Sequence, residues 1–210
     1  MKSSRVLEML EQNRIEDLKA ELKDEIFTES LKKKPDAKKR YAAMKRYLSY
    51  VTSARSVLQK ACEVEIEGNK YNAFCNSYSL ALTKESTGEL PLCDETDNYP
   101  DISRLVKYDG SVNKIDINTA IATAKTDGYK LTKSAMYSNK YLLHYQDSYF
   151  RIGLLDLTYS IINDGRDAIV YHVEGSGRPI TITTDIGVCV VMPVRLDEDM
   201  DDSIIIGVSH

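Results

Sequence analysis

Leu154-Leu-Asp-Leu-Thr-Tyr-Ser-Ile-Ile162, closed by Asn163-Asp164-Gly165, is the stretch on which the fold turns. Its apolar residues recur at helical spacing and the Asn-Asp-Gly run stops it, so it reads as a helix. Three strand-like runs follow at 168–173, 180–183 and 188–194, with Gly175 and Gly177 at a turn. Upstream, Lys114-Ile-Asp-Ile117 reads as a short strand and Asn118-Thr-Ala-Ile-Ala-Thr-Ala-Lys125 as a short helix ending near Gly128. Tyr141-Leu-Leu-His-Tyr145 and Tyr149-Phe-Arg-Ile152 then read as strands. The order is β-α-ββ followed by α-βββ, an α+β pattern that looks internally duplicated.

Toward the N-terminus, Val64-Glu-Ile-Glu-Gly-Asn-Lys-Tyr-Asn-Ala-Phe74 alternates and turns at Gly68-Asn69, which predicts a hairpin. Leu80-Ala-Leu82 continues the sheet, and the polar residues 84–99, with Pro91 and Asp97-Asn98, read as a loop. Ahead of the sheet, Val6, Leu7, Leu10, Leu18, Leu22 and Ile26 predict one amphipathic helix over 5–27. Lys32-Lys-Lys-Pro35-Asp36 breaks it, because proline disfavours helical geometry in the residue before it. A second helix runs from Asp36 or Ala37 to about Leu58, with Tyr41, Met44, Tyr47, Leu48, Val51 and Leu58 on its apolar side.

The chain has 210 residues, 42% of them hydrophobic and 29% charged, which is ordinary for a soluble globular protein. No run of apolar residues is long enough to span a membrane, and no apolar signal core follows Met1, so a cytoplasmic location is expected. Cys62, Cys75, Cys93 and Cys189 include no C-x-x-C pair, and His144, His172 and His210 are scattered, so reduced cysteines and no metal are expected. Charge is divided unevenly. Residues 1–60 hold fifteen Lys/Arg against nine Asp/Glu, whereas 61–210 hold thirteen against twenty-three.

The duplicated unit ends in Val190-Val-Met-Pro-Val-Arg-Leu196, which resembles the closing strand of the bacterial replicative sliding clamps, the DNA polymerase III beta subunit family. Tyr99-Pro-Asp-Ile-Ser-Arg-Leu-Val106 resembles that family's linker into its third domain, an aromatic-Pro-Asp followed by Arg and aliphatics. Cys75-Asn-Ser-Tyr-Ser-Leu-Ala81 resembles, more loosely, the Thr-Asp-Gly-His-Arg-Leu-Ala turn of its second domain, with Ser77 for the glycine and Ser79 for the arginine. Gly177-Arg-Pro-Ile-Thr-Ile182 is also similar to a clamp third domain. The resemblance covers roughly residues 43–196 and implies a DNA-clamp-like fold, with helices packed on antiparallel sheets in duplicated βαβββ units. The two predicted helices make an N-terminal two-helix extension to that fold, and the chain divides into an N-terminal helical extension (1–36), a partial clamp-like half-domain starting with a basic helix (37–98), a domain resembling the family's third (99–196) and an acidic tail (197–210).

In that family the three segments form a cleft for short linear peptides of replication and repair proteins. Carried over by position, the resemblance implies a peptide-binding cleft of Cys75, Ser77, Tyr78, Ser79, Leu80, Pro100, Arg104, Leu105, Val190, Met192, Pro193, Val194 and Arg195. Aliphatics such as Leu80 and Val190 also read simply as strand core, whereas Pro193 inside a strand run marks an edge or bulge. Lys32, Lys33, Lys34, Lys38, Lys39, Arg40, Lys45 and Arg46, interleaved with Tyr41 and Tyr47, form a candidate DNA-binding patch; the competing reading is a solvated helix face.

No nucleophile-base constellation or phosphate-cradling loop is recognisable, so a non-enzymatic function without a cofactor is expected. Glu174-Gly-Ser-Gly-Arg178 reads as a hairpin turn, and Asp94-Glu95 and Asp197-Glu198 as solvated acids. Expected partners are linear peptides, with double-stranded DNA and further copies of the chain as additional candidates. Two rival readings stay open: a clamp-like decoy that does not encircle DNA, and a basic-helix nucleic-acid binder that uses the fold as scaffold. The tail holds five acids in residues 197–202 and then Ile204-Ile-Ile206. It reads either as a disordered acidic tail or as a segment whose apolar end folds back into the cleft or into that of a neighbouring copy.

Overall fold

The computed structural model describes residues 3–51, 56–94, 96–106, 108, 110–166, 168–173, 177–195 and 202–207. Helices and largely antiparallel sheets share one hydrophobic core, an α+β arrangement.

The amphipathic N-terminal stretch forms two helices rather than the single one expected over 5–27. These are α1 (Ser3–Glu11) and α2 (Ile15–Ser30), separated at Asn13, whose φ of 54° is left-handed. Asparagine tolerates that region better than most residues, and a helix cannot continue through it. The chain doubles back there. The Arg5 guanidinium donates to Glu21 at 2.9 and 2.6 Å, and Met9 and Leu18 become buried. Leu7, Leu10, Leu22 and Ile26, expected on one apolar face, remain exposed.

Pro35 sits in the first turn of α3 (Pro35–Tyr50), where its missing N–H costs nothing. This helix stops at Tyr50, earlier than the sequence suggested, and a separate 3-10 turn spans Ser56–Gln59. Tyr41, Ala43, Met44, Tyr47 and Leu48 form its buried face. The turn between β1 (Cys62–Ile66) and β2 (Asn69–Cys75) uses Glu67 and Gly68, with φ of 51° and 76°. Two successive positive φ values match the right-handed twist of the paired strands.

The remaining elements are β3 (Ser79–Thr83), β4 (Ser111–Ile115), α4 (Ile117–Thr126), β5 (Tyr141–Tyr145), β6 (Ser148–Arg151), α5 (Ile152–Ile162), β7 (Ala168–His172), β8 (Ile180–Thr183), β9 (Gly187–Val191) and β10 (Ile204–Gly207). The β-α-ββ, α-βββ order is therefore the one expected. Asp116 caps α4 by accepting from the Thr119 amide at 2.9 Å.

Seven strands form one antiparallel sheet in the order β1-β2-β3-β9-β8-β7-β4, and β10-β5-β6 form a second. β3 and β9 pair from Ser79↔Val191 to Thr83↔Gly187, so strands from both sides of residue 98 lie in one sheet. The approach is close: a Cβ on Gly187 would come within 2.0 Å of the Leu82 carbonyl oxygen. Helix α5 is central, packing on β3 and β9, beside α3 and against both β5 and β6. Every residue of α5 except Ser160 is buried, as its near-continuous apolar sequence requires.

The described part of the tail, residues 202–207, joins the small sheet and not the expected cleft. β10 pairs in parallel with β5, from Ile204↔Tyr141 to Gly207↔His144, and Ile206 is buried. Asp197 and Glu198, like Glu95 and residues 174–176, lie outside the described residues.

Candidate peptide-binding surface

The short segment after β9 joins the two sheets. The Met192 amide donates to the Tyr78 carbonyl at 2.9 Å, and the Val194 amide donates to the Tyr149 carbonyl at 2.8 Å. Between them stands Pro193, which has no N–H to offer. Residues 192–194 thus leave the β3 side of the large sheet and reach β6 of the small one.

Tyr78 follows the β2–β3 turn. Asn76 sets that turn: its side-chain oxygen accepts from the Tyr78 and Ser79 backbone amides, each at 2.7 Å, and its own backbone N–H donates to the Ser79 carbonyl at 2.9 Å. Such a side-chain-closed turn fixes the backbone without requiring a glycine at position 77. The Tyr78 ring is 43% exposed and Met192 is 36% exposed. Tyr137 packs edge-on to Tyr78 with ring centroids 5.6 Å apart, and the Arg151 guanidinium lies 5.8 Å from the Tyr78 ring centroid. Arg151 is itself buried and donates through Nε to Asn139 at 2.8 Å, so its cation is held firmly under the ring. The result is an aromatic and thioether platform on a rigid base.

Burial removes several expected cleft residues from this surface. Leu80 and Val190 are register partners in the sheet and are 1% and 2% exposed, so they are core. Cys75 and Val194 are buried too, and burial pushes the Cys75 thiol up to about 11, leaving it protonated at neutral pH. Ser79 points inward: its hydroxyl is 2.9 Å from that of Thr158 and 3.2 Å from that of Tyr47. Ser77, Tyr78, Met192 and Arg195 are exposed and Pro193 is half-buried.

The 99–106 segment divides. Tyr99 turns inward and donates from its hydroxyl to the Ala73 carbonyl at 3.3 Å, and burial raises its pKa. Ile102 is buried, Pro100 is half-buried, and Arg104 and Leu105 are exposed, with Arg104 beside Asp101 at 3.7 Å. Tyr99 brings this segment beneath β2, whereas the hydrogen bonds that join Tyr78 to Met192 do not extend to Arg104 or Leu105. Tyr137 and Arg151 were not among the residues expected from sequence. Tyr137 sits in a 3-10 turn within an irregular stretch, but an arginine inside the apolar run Tyr149-Phe-Arg-Ile152 was a usable signal.

The basic patch is also only partly available. Arg40 is 8% exposed, donates to Glu85 at 2.5 Å and to the Asn163 carbonyl at 3.3 Å, and joins α3 to the end of α5. Its guanidinium is committed to these two acceptors at one wall of a groove between α3 and the end of α5. Tyr41 and Tyr47, read as stacking groups, are core residues; Tyr41 packs on Phe27 and bonds Asp24. Lys32 pairs with Glu29, Lys39 with Asp36 at 3.1 Å and Lys45 with Asp24 at 2.6 Å. Lys33, Lys34, Lys38 and Arg46 are exposed and form no ion pair among the described residues.

The groove between α3 and the end of α5, of 410 Å³, is lined in part by Lys39, Arg40 and Arg46 of the basic run, and a 320 Å³ hollow lies near Gly128 and Gly153. Among the described residues no group of His, Cys, Asp or Glu has the arrangement to hold a metal ion, and no helix is long and apolar enough to cross a membrane. No family model, no curated protein and no solved structure matches this chain.

Proposed function

We propose that this chain is a non-enzymatic DNA-replication accessory protein of sliding-clamp type, which captures short linear peptides of partner proteins on the Tyr78–Met192 platform. The observation that carries the reading is the 2.9 Å hydrogen bond from the Met192 amide to the Tyr78 carbonyl. It pairs two of the three segments that resemble the clamp family, distant in sequence, and both Tyr78 and Met192 keep part of their surface open to solvent. Apolar anchors of a peptide would bury against these groups, with methionine adapting its shape to the ligand and Arg195 at the polar margin.

Binding of a fluorescent peptide with two large apolar anchors, followed by anisotropy, tests this. Tyr78→Ala and Met192→Ala should each weaken binding by about tenfold or more while melting stays close to the parent's. Equal affinity in both variants and the parent overturns it.

A second reading, contact with DNA, rests on the exposed Lys33, Lys34, Lys38 and Arg46. Replacing these four with glutamine should weaken DNA binding and flatten its dependence on salt. Retained, salt-sensitive binding would rule the patch out. Light scattering with and without circular DNA separates an encircling oligomer from a decoy, which stays monomeric and binds peptide without salt-dependent DNA affinity.

A further inference from the structure

Two of the cysteines, far apart in sequence, meet at the edge of the large sheet. Ala61 forms a parallel bridge with Leu92. The Ala61 amide donates to the Pro91 carbonyl and the Cys93 amide to the Ala61 carbonyl, each at 2.8 Å. One residue further along both segments, Cys62 therefore stands opposite Cys93. Parallel neighbours lie about 4.8 Å apart and direct opposed side chains to the same face. That spacing falls within the roughly 4.4–6.8 Å between Cα atoms that a disulfide spans. Both residues are partly exposed, and their thiols make weak backbone contacts, Cys62 donating to the Glu63 carbonyl at 3.7 Å and Cys93 to the Val57 carbonyl at 4.0 Å. Lys60 and Asp97, paired at 2.6 Å, hold the same junction together. Cys75 and Cys189 are buried, and their register partners, Leu80 and Ala81, are not cysteines.

We propose that Cys62 and Cys93 are a reversible oxidation site, closed to a disulfide by a low-molecular-weight disulfide such as oxidised glutathione. The Cys62 thiolate attacks one sulfur of the oxidant; its S–S bond breaks and one glutathione thiolate leaves. The Cys93 thiolate then attacks the Cys62 sulfur of the mixed disulfide and expels the second glutathione. Two protein thiols give up two electrons and two protons, and the oxidant becomes two glutathione thiols. Burial raises both thiols, and it raises Cys93 the further, up to about 12 with Cys62 beside it adding to the shift, so Cys62 makes the first attack. The cross-link ties edge strand β1 to the connection that leads into Tyr99 and Pro100.

The test is incubation of the full chain with excess oxidised glutathione at mildly alkaline pH, then alkylation of remaining thiols after denaturation. Two of the four cysteines, Cys75 and Cys189, should take the alkylating group, and a non-reducing digest should contain Cys62 joined to Cys93. The melting midpoint should rise by about 5–10 °C and fall back with reductant. Cys62→Ser should end as a free thiol or a glutathione adduct at Cys93, with no such rise. Four alkylated cysteines in the parent, adducts that never close, or a cross-link to Cys75, Cys189 or a second chain would each overturn the proposal.

Discussion

The Ser79 hydroxyl lies 2.9 Å from the Thr158 hydroxyl, with both residues sealed from water beneath the β2–β3 turn. Tyr47 completes the group and donates to the Ser79 carbonyl at 3.0 Å. Three elements, α3, β3 and α5, are thereby registered by one polar cluster in an otherwise apolar core. Thr158→Val keeps the shape and removes the bond, so it should cost about 1–2 kcal/mol in denaturant unfolding. Ser79→Arg would bury an unpaired guanidinium among Tyr47 and Thr158. It should cost on the order of 3–5 kcal/mol or prevent folding. A soluble Ser79→Arg variant with parental stability would show that this position can open to the surface.

Arg40 gives the second prediction. Its removal leaves Glu85 and the Asn163 carbonyl without their partner, so Arg40→Ala should destabilise by about 2–4 kcal/mol. Lys38→Ala, on the exposed side of the same helix, should change stability by less than about 0.5 kcal/mol. Chemical denaturation of the two variants side by side checks this, and similar losses would contradict the burial of Arg40.

These cases show why the fold was more legible than the site. The succession of helices and strands along the chain followed from alternation and turn residues, because those patterns report local geometry and the side each residue faces. The path of the chain after Val191 did not, since it depends on where Tyr78 and Tyr149 offer free carbonyls. Leu80 and Val190 were read as cleft or core from the same apolar character, and only their pairing within the sheet separates the two. Arg40 looked like its neighbours in a basic run, but it lies on the α3 face that meets α5. The break at Asn13 was missed for a similar reason. The apolar pattern runs on across it, and the doubling back is carried by contacts such as Arg5 with Glu21.

The tail provides a third test. Ile206 is 5% exposed in β10, and its strand completes the small sheet on the side of β5 away from β6. Ile206→Ala should cost about 2–4 kcal/mol, as for other buried isoleucines. Peptide affinity, measured at a temperature where the variant stays folded, should be unchanged, because residues 192–194 meet β6 and not β5. A gain in affinity would instead mean that the tail competes for the Tyr78–Met192 surface.

The attachment of α2 to α3 should depend on pH through Asp24. Burial alone would raise its carboxyl, but the Lys45 ammonium and the Tyr41 hydroxyl, each at 2.6 Å, outweigh burial and hold it below the ordinary carboxylate range. A folded pKa lower than the unfolded one makes ionised Asp24 stabilising. That contribution is complete above the unfolded value of about 3.9 and is lost as pH falls through the folded value. Asp24→Asn should therefore lower the melting temperature by a constant amount between about pH 5 and 8. The gap to the parent should narrow as the pH drops below about 4, where the parent's carboxylate is itself protonated. Melting curves of both proteins across that range give the answer. A gap that stays constant into acid would mean that Asp24 acts through packing and not through its charge.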